Sequence, residues 1–131
     1  ELIQQIILPK PHPDEFIRIY KISARRDLDI ACVNLSASIR LENDMIVDCR
    51  LAFGGVGPVI VRAFEVEKQI VGQRLSDIRA SKYVPHLKSQ ITPISDVRGS
   101  REFRYSAAGN LLRKFFAEAQ SQHTSSVLVS K

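Results

Sequence analysis

The chain has 131 residues, 44% of them hydrophobic and 25% charged, with a formal net charge of +5. That is the profile of one globular domain, large enough to bury a core without staples. No apolar run approaches the ~18 residues of a membrane-crossing helix, and two cysteines are too few for a disulfide framework or a four-ligand zinc site.

From the N-terminus, Leu2 to Leu8 is apolar enough for a short strand, stopped by Pro9, Pro11 and Pro13. Glu15 to Ser23, rich in Phe, Ile and Tyr, predicts a strand. The charged loop Arg25-Arg-Asp-Leu-Asp29 follows. Ile30 to Glu42 alternates: Val33, Leu35, Ala37, Ile39 and Leu41 face one side, and Cys32, Asn34, Ser36, Ser38 and Arg40 the other. Asn43-Asp44 forms a turn. Val47, Cys49, Leu51 and Phe53 then resume the alternation with Asp48 and Arg50 outward, which makes a β-hairpin with one buried face. Gly54-Gly-Val-Gly-Pro58 ends it.

Three helices are expected next. Ala63, Val66 and Ile70 recur at helical spacing before Gly72, a C-cap residue type. Ser76 is placed to cap a second helix that Pro85 limits or kinks. Ser100 caps a third, with Phe103, Ala107, Leu111 and Phe115 in one stripe widened by Leu112 and Phe116. From Ser121 the composition turns to that of a frayed tail, so the domain is set at 1–120 and a flexible tail at 121–131. Strands first and helices after define an α+β fold: a small antiparallel β-sheet packed against about three helices.

The residues offer little chemistry. Asp27 and Asp29 share a loop, and Asp44 and Asp48 flank the hairpin turn; solvated carboxylates are the ordinary reading of both pairs. His12, His86 and His123 lie far apart in sequence, and no His-x₃-His or Cys-x₂-Cys spacing exists, so no metal site is assigned; a Ser-His-Asp triad assembled from distant positions stays open, but no nucleophile-elbow sequence supports one and no catalytic residue is assigned. The glycine run at 54–58 lacks the Lys-Ser/Thr of a phosphate-binding loop and is read as a strand-to-helix connection. Lys21, Arg25 and Arg26 form a cationic cluster able to meet an anion. Arg98, Arg101, Arg104, Arg113 and Lys114 leave open a small basic interaction module without a redox role, although no aromatic platform interleaves them as single-stranded nucleic acid would require. Cys32 and Cys49 read as buried, reduced thiols, which fits a cytoplasmic setting. No signal-peptide pattern is present, and a start at Glu1 rather than Met is what a fragment or a processed product shows.

Three stretches together resemble a known family. They are Tyr20-Lys-Ile-Ser-Ala-Arg-Arg-Asp-Leu-Asp-Ile-Ala31, Leu51-Ala-Phe-Gly-Gly-Val-Gly-Pro-Val-Ile-Val-Arg-Ala63, and Ser95-Asp-Val-Arg-Gly-Ser100 with the helix containing Asn110-Leu-Leu-Arg-Lys-Phe-Phe116. In this order they are similar to the C-terminal subdomain of the FAD-binding domain of molybdenum hydroxylases, above all the small subunit of bacterial xanthine dehydrogenase. The resemblance implies a subdomain, covering Glu1 to about Gln120, that closes over a flavin. It implies FAD in the intact subunit, with 2Fe-2S clusters and molybdopterin elsewhere in the parent enzyme. Electrons from hydroxylation of xanthine would pass through the clusters to the flavin and on to NAD. The implied partners are the upstream FAD-binding subdomain, the iron-sulfur domain and the molybdopterin-binding large subunit, with no nucleic acid and no membrane. The cluster cysteines and the glycine-rich pyrophosphate segment of the family are absent from this sequence, so the chain alone is expected to be inactive. Carried over by position, Lys21 matches a flavin-contacting lysine, Ile3 a position whose backbone approaches the flavin, and Arg25, Arg26, Asp27 and Asp29 a charged loop beside the ring. Leu28 stands where some relatives have an acidic residue. Asp96 and Arg98 are implied to fix the linker or dock the neighbouring subdomain.

Overall fold

The structure, a computed structural model, describes residues 2–8, 10–25 and 29–129, with side chains through Ser125. Four strands run β1 (Glu15–Ile22), β2 (Val33–Glu42), β3 (Met45–Gly54) and β4 (Val61–Arg62), followed by α1 (Phe64–Ile70), α2 (Val84–Gln90) and α3 (Arg101–Val129). The strands form one antiparallel meander in chain order. This is the expected α+β arrangement.

The alternation in β2 is the sheet's organiser. Val33, Leu35, Ala37 and Ile39 are buried and face the helices, opposed across the ladder by Tyr20, Phe16, Cys49, Leu51 and Phe53. Ser36 and Ile19, directly opposite each other, point the other way and are exposed. Asn43 turns the hairpin at φ 57°, a conformation that asparagine tolerates. In β3 the alternation departs from a simple period of two. The register shifts after Arg40, so that Arg40 pairs with Asp48 but Leu41 with Ile46. Val47 is the extra residue of this bulge, and Ile46, fully buried, takes the inward place expected of Val47.

Leu2–Leu8 forms no strand. It finds no ladder partner among the described residues, and Leu2, Ile3, Ile6, Ile7 and Leu8 are left exposed. α1 packs on β3 by way of Glu67, a buried carboxylate. It accepts Leu51 N–H at 2.7 Å and a two-point bond from the Arg62 guanidinium at 2.8 and 2.7 Å. The Arg62 pKa is raised by this bond. Burial, with the Glu67 charge next, pushes the Cys49 thiol up and keeps it an inert core residue. Gly72, at φ +85°, turns the chain just beyond α1 and donates to Ile46 O at 2.8 Å.

Ser76 caps no helix: its hydroxyl and amide both bond to Asp44 at the hairpin turn, pinning a 3₁₀ turn, Leu75–Asp77. Pro85 starts α2 rather than ending it. In a first turn the missing N–H is no loss, and the fixed φ favours entry into the helix.

α3 lies along the sheet. Ser100 Oγ accepts Phe103 N–H at 3.1 Å, the expected N-cap. The buried stripe is Arg104, Ala107, Ala108, Leu111, Leu112, Phe115, Phe116 and Ala119. Phe103, placed in the stripe by sequence, falls one position out of phase and is half exposed. Phe115 closes the core against Phe16, with ring centres 5.5 Å apart, and against Phe116 at 5.1 Å. Past Gln120 the helix continues to Val129, where composition alone reads as a tail. Gln122 accepts from Arg18 at 2.9 Å and His123 lies 3.6 Å from Asp44, so the extra turns reach back to the sheet.

Candidate functional site

Antiparallel order brings the end of β1, the start of β2 and the end of β3 to one edge of the molecule, because Lys21 pairs with Asn34 and Asn34 with Gly54. The loop after β1, the glycine connection after β3 and the linker before α3 all meet there.

Lys21 is exposed at this end, and its ammonium donates to the backbone carbonyl of Asp29 at 3.1 Å. The Asp29 carboxylate accepts Arg25 N–H at 2.9 Å, and Ser23 Oγ donates to Arg25 O at 2.6 Å. The Arg25 amide holds the Asp29 carboxyl below its ordinary value, with the Arg25 and Lys21 charges adding to the effect. Lys21, Arg25 and Asp29 are thus brought together. Arg26 and Asp27, also expected at the site, lie outside the described residues. Ile3 is exposed on the N-terminal segment and makes no ladder with the others.

Beside the start of β2 sits a residue that the sequence placed among the cations of a basic interaction module. Arg104 is only 5% exposed. Its Nη1 donates to the carbonyls of Cys32 and Gly55, the latter at 2.9 Å, and its Nη2 to Asp96 Oδ1 at 2.7 Å. One guanidinium therefore ties the start of β2, the glycine connection and the linker together. Asp96 Oδ1 also accepts Arg98 N–H at 2.8 Å and Gly99 N–H at 3.2 Å. Its carboxyl is held below the ordinary value by the Arg104 bond first and the Arg98 amide second. Asp96 thus bonds within the linker and to α3, the first of the two roles implied for Asp96 and Arg98. Arg104 Nε is buried without a hydrogen-bond partner. The sequence signal for Arg104 was its phase: it stands three and four residues before Ala107 and Ala108, on the apolar stripe.

Glycine is required at two points here. Gly55 adopts φ +75°, and a Cβ there would lie 2.2 Å from Cys32 O; one on Gly99 would lie 2.9 Å from Cys32 Sγ. The glycine run thus serves close backbone approach. A cavity of about 490 Å³ opens between the glycine connection and the linker, walled by Ala31, Pro58, Ile94 and Arg98. Around it Ile30, Val59, Ile60 and Val97 are exposed, an unusual number of large apolar groups at one end of a small domain.

No group of metal-ligating side chains occurs among the described residues, and no helix among them is long and apolar enough to cross a membrane. His12 lies against Asp14 and His123 against Asp44, while Cys32 Sγ donates to Arg98 O at 3.3 Å, so neither pair activates a cysteine. The remaining helix cations are engaged locally: Arg101 with Glu102, Arg113 with Asn110 and Lys114 with Glu118.

The described residues form an antiparallel meander backed by helices, the architecture of a small α+β subdomain. The chain belongs to the family of CO dehydrogenase flavoprotein C-terminal domains, of the molybdenum hydroxylase group, whose model it matches over residues 18–119. It is 37% identical over 118 residues to the glyceraldehyde dehydrogenase medium chain of Sulfolobus acidocaldarius, covering 90% of this chain and 41% of that one. It is 30% identical over 135 residues to the xanthine dehydrogenase of Dictyostelium discoideum, covering 93% of this chain and 10% of that one. Its fold superposes with a TM-score of 0.75 on a chain of the carbon monoxide dehydrogenase of Hydrogenophaga pseudoflava, at 18% identity, covering 82% of this chain and 37% of that one. The chain thus spans well under half the length of these relatives.

Proposed function

We propose that this chain is the C-terminal part of the FAD-binding portion of a molybdenum hydroxylase of the xanthine dehydrogenase type. It closes over the flavin that receives electrons from iron-sulfur clusters and delivers them to NAD. The observation that carries this reading is the family match over residues 18–119, which places Lys21 and its loop inside the matched span. The residues fit the cofactor. Lys21 rests on the neutral Asp29 carbonyl, and although its charge also lowers the nearby Asp29 carboxyl, it makes no contact ion pair among the described residues, so the exposed ammonium can meet an anionic group. FAD, when bound, supplies the electron-accepting and hydride-donating chemistry. Lys21, Ile3 and Arg25 hold or border it, with Arg26, Asp27 and Asp29 completing the charged loop. The exposed apolar groups about the cavity face the upstream FAD-binding subdomain. The iron-sulfur domain and a molybdopterin-binding large subunit complete a cytoplasmic enzyme.

A second reading for the substrate is favoured by the glyceraldehyde dehydrogenase relative, the more similar of the two named above: the parent enzyme oxidises an aldehyde rather than a purine. Assaying the intact enzyme with xanthine and with glyceraldehyde separates the two.

The cofactor role is tested by Lys21→Ala in the intact flavoprotein. FAD affinity is expected to fall about tenfold, the worth of one charge-assisted contact, with slower NAD reduction. Unchanged affinity and unchanged reduction remove Lys21 from the site. The isolated chain is expected to purify colourless; stoichiometric flavin retained by it would overturn the assignment of the pyrophosphate site to another part of the protein.

A further inference from the structure

We propose that Asp29 is a positioning residue that clamps the loop after β1 and holds the Lys21 ammonium in place, rather than a direct contact of the cofactor. The inference rests on the flavin reading above and deepens it.

The two polar ends of Asp29 do different things. Its carbonyl takes the Lys21 ammonium at 3.1 Å across eight residues of sequence, bridging the base of the loop. Its carboxylate turns to the backbone and takes Arg25 N–H at 2.9 Å. Ser23 Oγ fixes the other side of the same residue through Arg25 O at 2.6 Å. Arg25 is thereby held at its amide and at its carbonyl by side chains, before the chain enters 26–28.

Two consequences follow for charge. A lysine on a four-carbon stem loses much rotamer freedom when fixed, so a free Lys21 would present a diffuse charge. Holding it on a carbonyl localises that charge without neutralising it. The Asp29 carboxylate, meanwhile, is turned to the Arg25 N–H; among the described residues it makes no contact ion pair with Lys21, whose charge acts on it only at longer range. A carboxylate pointed at an anionic flavin would repel it; spent on the backbone, it builds the loop instead.

The test uses Asp29→Ala and Asp29→Asn in the chain and in the intact flavoprotein. In the chain, NMR follows hydrogen exchange at the Arg25 amide and the mobility of the Lys21 side chain. Asp29→Ala is expected to speed Arg25 exchange about tenfold by removing a charge-assisted acceptor and to mobilise Lys21. Asp29→Asn, whose Oδ1 still accepts, is expected to restore most of the protection. In the flavoprotein, Asp29→Ala should weaken FAD binding as Lys21→Ala does, and the double variant should be no weaker than either, the mark of two residues acting as one unit. Arg25 exchange and Lys21 mobility unchanged in Asp29→Ala overturn the inference, as do strictly additive losses of FAD affinity. If Asp29→Ala frees Lys21 while Lys21→Ala leaves FAD binding intact, the clamp stands and the flavin reading of Lys21 falls.

Discussion

Gly55 and Gly72 both hold positive φ, yet replacing them should have very different costs. At Gly72, φ +85°, nothing lies within 4 Å of a new Cβ, so Gly72→Ala meets only backbone strain of about 1 kcal/mol. At Gly55 the strain is joined by a Cβ 2.2 Å from Cys32 O, a backbone atom that cannot swing aside, and 3.2 Å from Arg104 Nη1. Gly55→Ala is therefore expected to destabilise by several times as much, measured as the shift in urea midpoint at constant slope; equal losses at the two sites would refute the close-approach argument. The run 54–58 was legible as structural from the sequence, but which glycine was indispensable was not, because the partner atom belongs to residue 32. Arg104 shows the same limit. Its phase on α3 was readable, but burial of an arginine needs three acceptors, and those come from Cys32, Gly55 and Asp96 in other segments. Arg104→Ala strands those acceptors and is expected to cost about 2–3 kcal/mol, visible in the same titration. A loss below half of that would mean that water replaces the guanidinium.

Among the elements, β2 and the turn at Asn43 could be read directly, since a strict period of two over Val33–Ile39 and an asparagine turn are local signals. The Val47 bulge could not, because Ile46 and Val47 are both apolar, and the choice between them is made by pairing with Arg40 and Leu41. From sequence Pro85 is expected to limit or kink a helix rather than open one, because proline's position within a helix, first turn or interior, depends on where the preceding turn ends, and that end is fixed by the Ala80–Tyr83 3₁₀ turn. Leu2–Leu8 has a strand's composition but no ladder partner among the described residues. α3 poses a question that truncation answers. Gln120 Nε2 donates to Leu75 O at 2.8 Å and Ile78 O at 3.0 Å, while Ala119 is the last core residue of the stripe among the described residues. Ending the chain after Gln120 removes Gln122 and His123 but, among the described residues, no core side chain. We expect a drop in Tm of about 2–5 °C, equivalent to roughly 1 kcal/mol at this size. Ending it after Glu118 also removes Ala119 and Gln120 and should cost markedly more. Equal losses would move the domain boundary beyond 120.

For the molecule as a whole, the shifted titrations define a plateau of stability with two edges. On the acid side Asp96, Asp44 and Glu118 all have folded pKa values below their ordinary ones. For Asp96 the Arg104 bond dominates. For Asp44 burial opposes, but the Ser76 bonds with the His123 and Arg74 charges prevail. For Glu118 the Lys114 and Tyr20 bonds dominate. A lowered folded value means that the unfolded chain takes up protons first. Their stabilisation is therefore present above the ordinary values of 4.5 for Glu and 3.8 for Asp, and is lost as pH falls through them to the folded values. On the alkaline side Cys49 is raised from 9.0 by burial, and Tyr20 from 10.0 by burial and by its bond to Glu118. Here the unfolded chain releases protons first, so their contribution is complete below about pH 9 and is lost progressively above it. Urea midpoints should be level between about pH 5 and 9 and fall on both sides. The two edges can be assigned separately. Tyr20→Phe, which keeps the ring against the sheet and removes the ionisable hydroxyl, should flatten the loss above pH 10, and should soften the acid edge only by the Tyr20 share of the Glu118 shift while leaving the Asp96 and Asp44 parts in place. Asp44→Asn should lower the plateau and soften the acid edge while leaving the alkaline one. A Tyr20→Phe protein whose midpoint still falls between pH 10 and 11 as steeply as the parent's would locate the alkaline edge in Cys49. Cys49→Ala then tests that assignment, because it removes the thiol from a site where Arg62 and Glu67 remain paired and should flatten the loss that begins above pH 9.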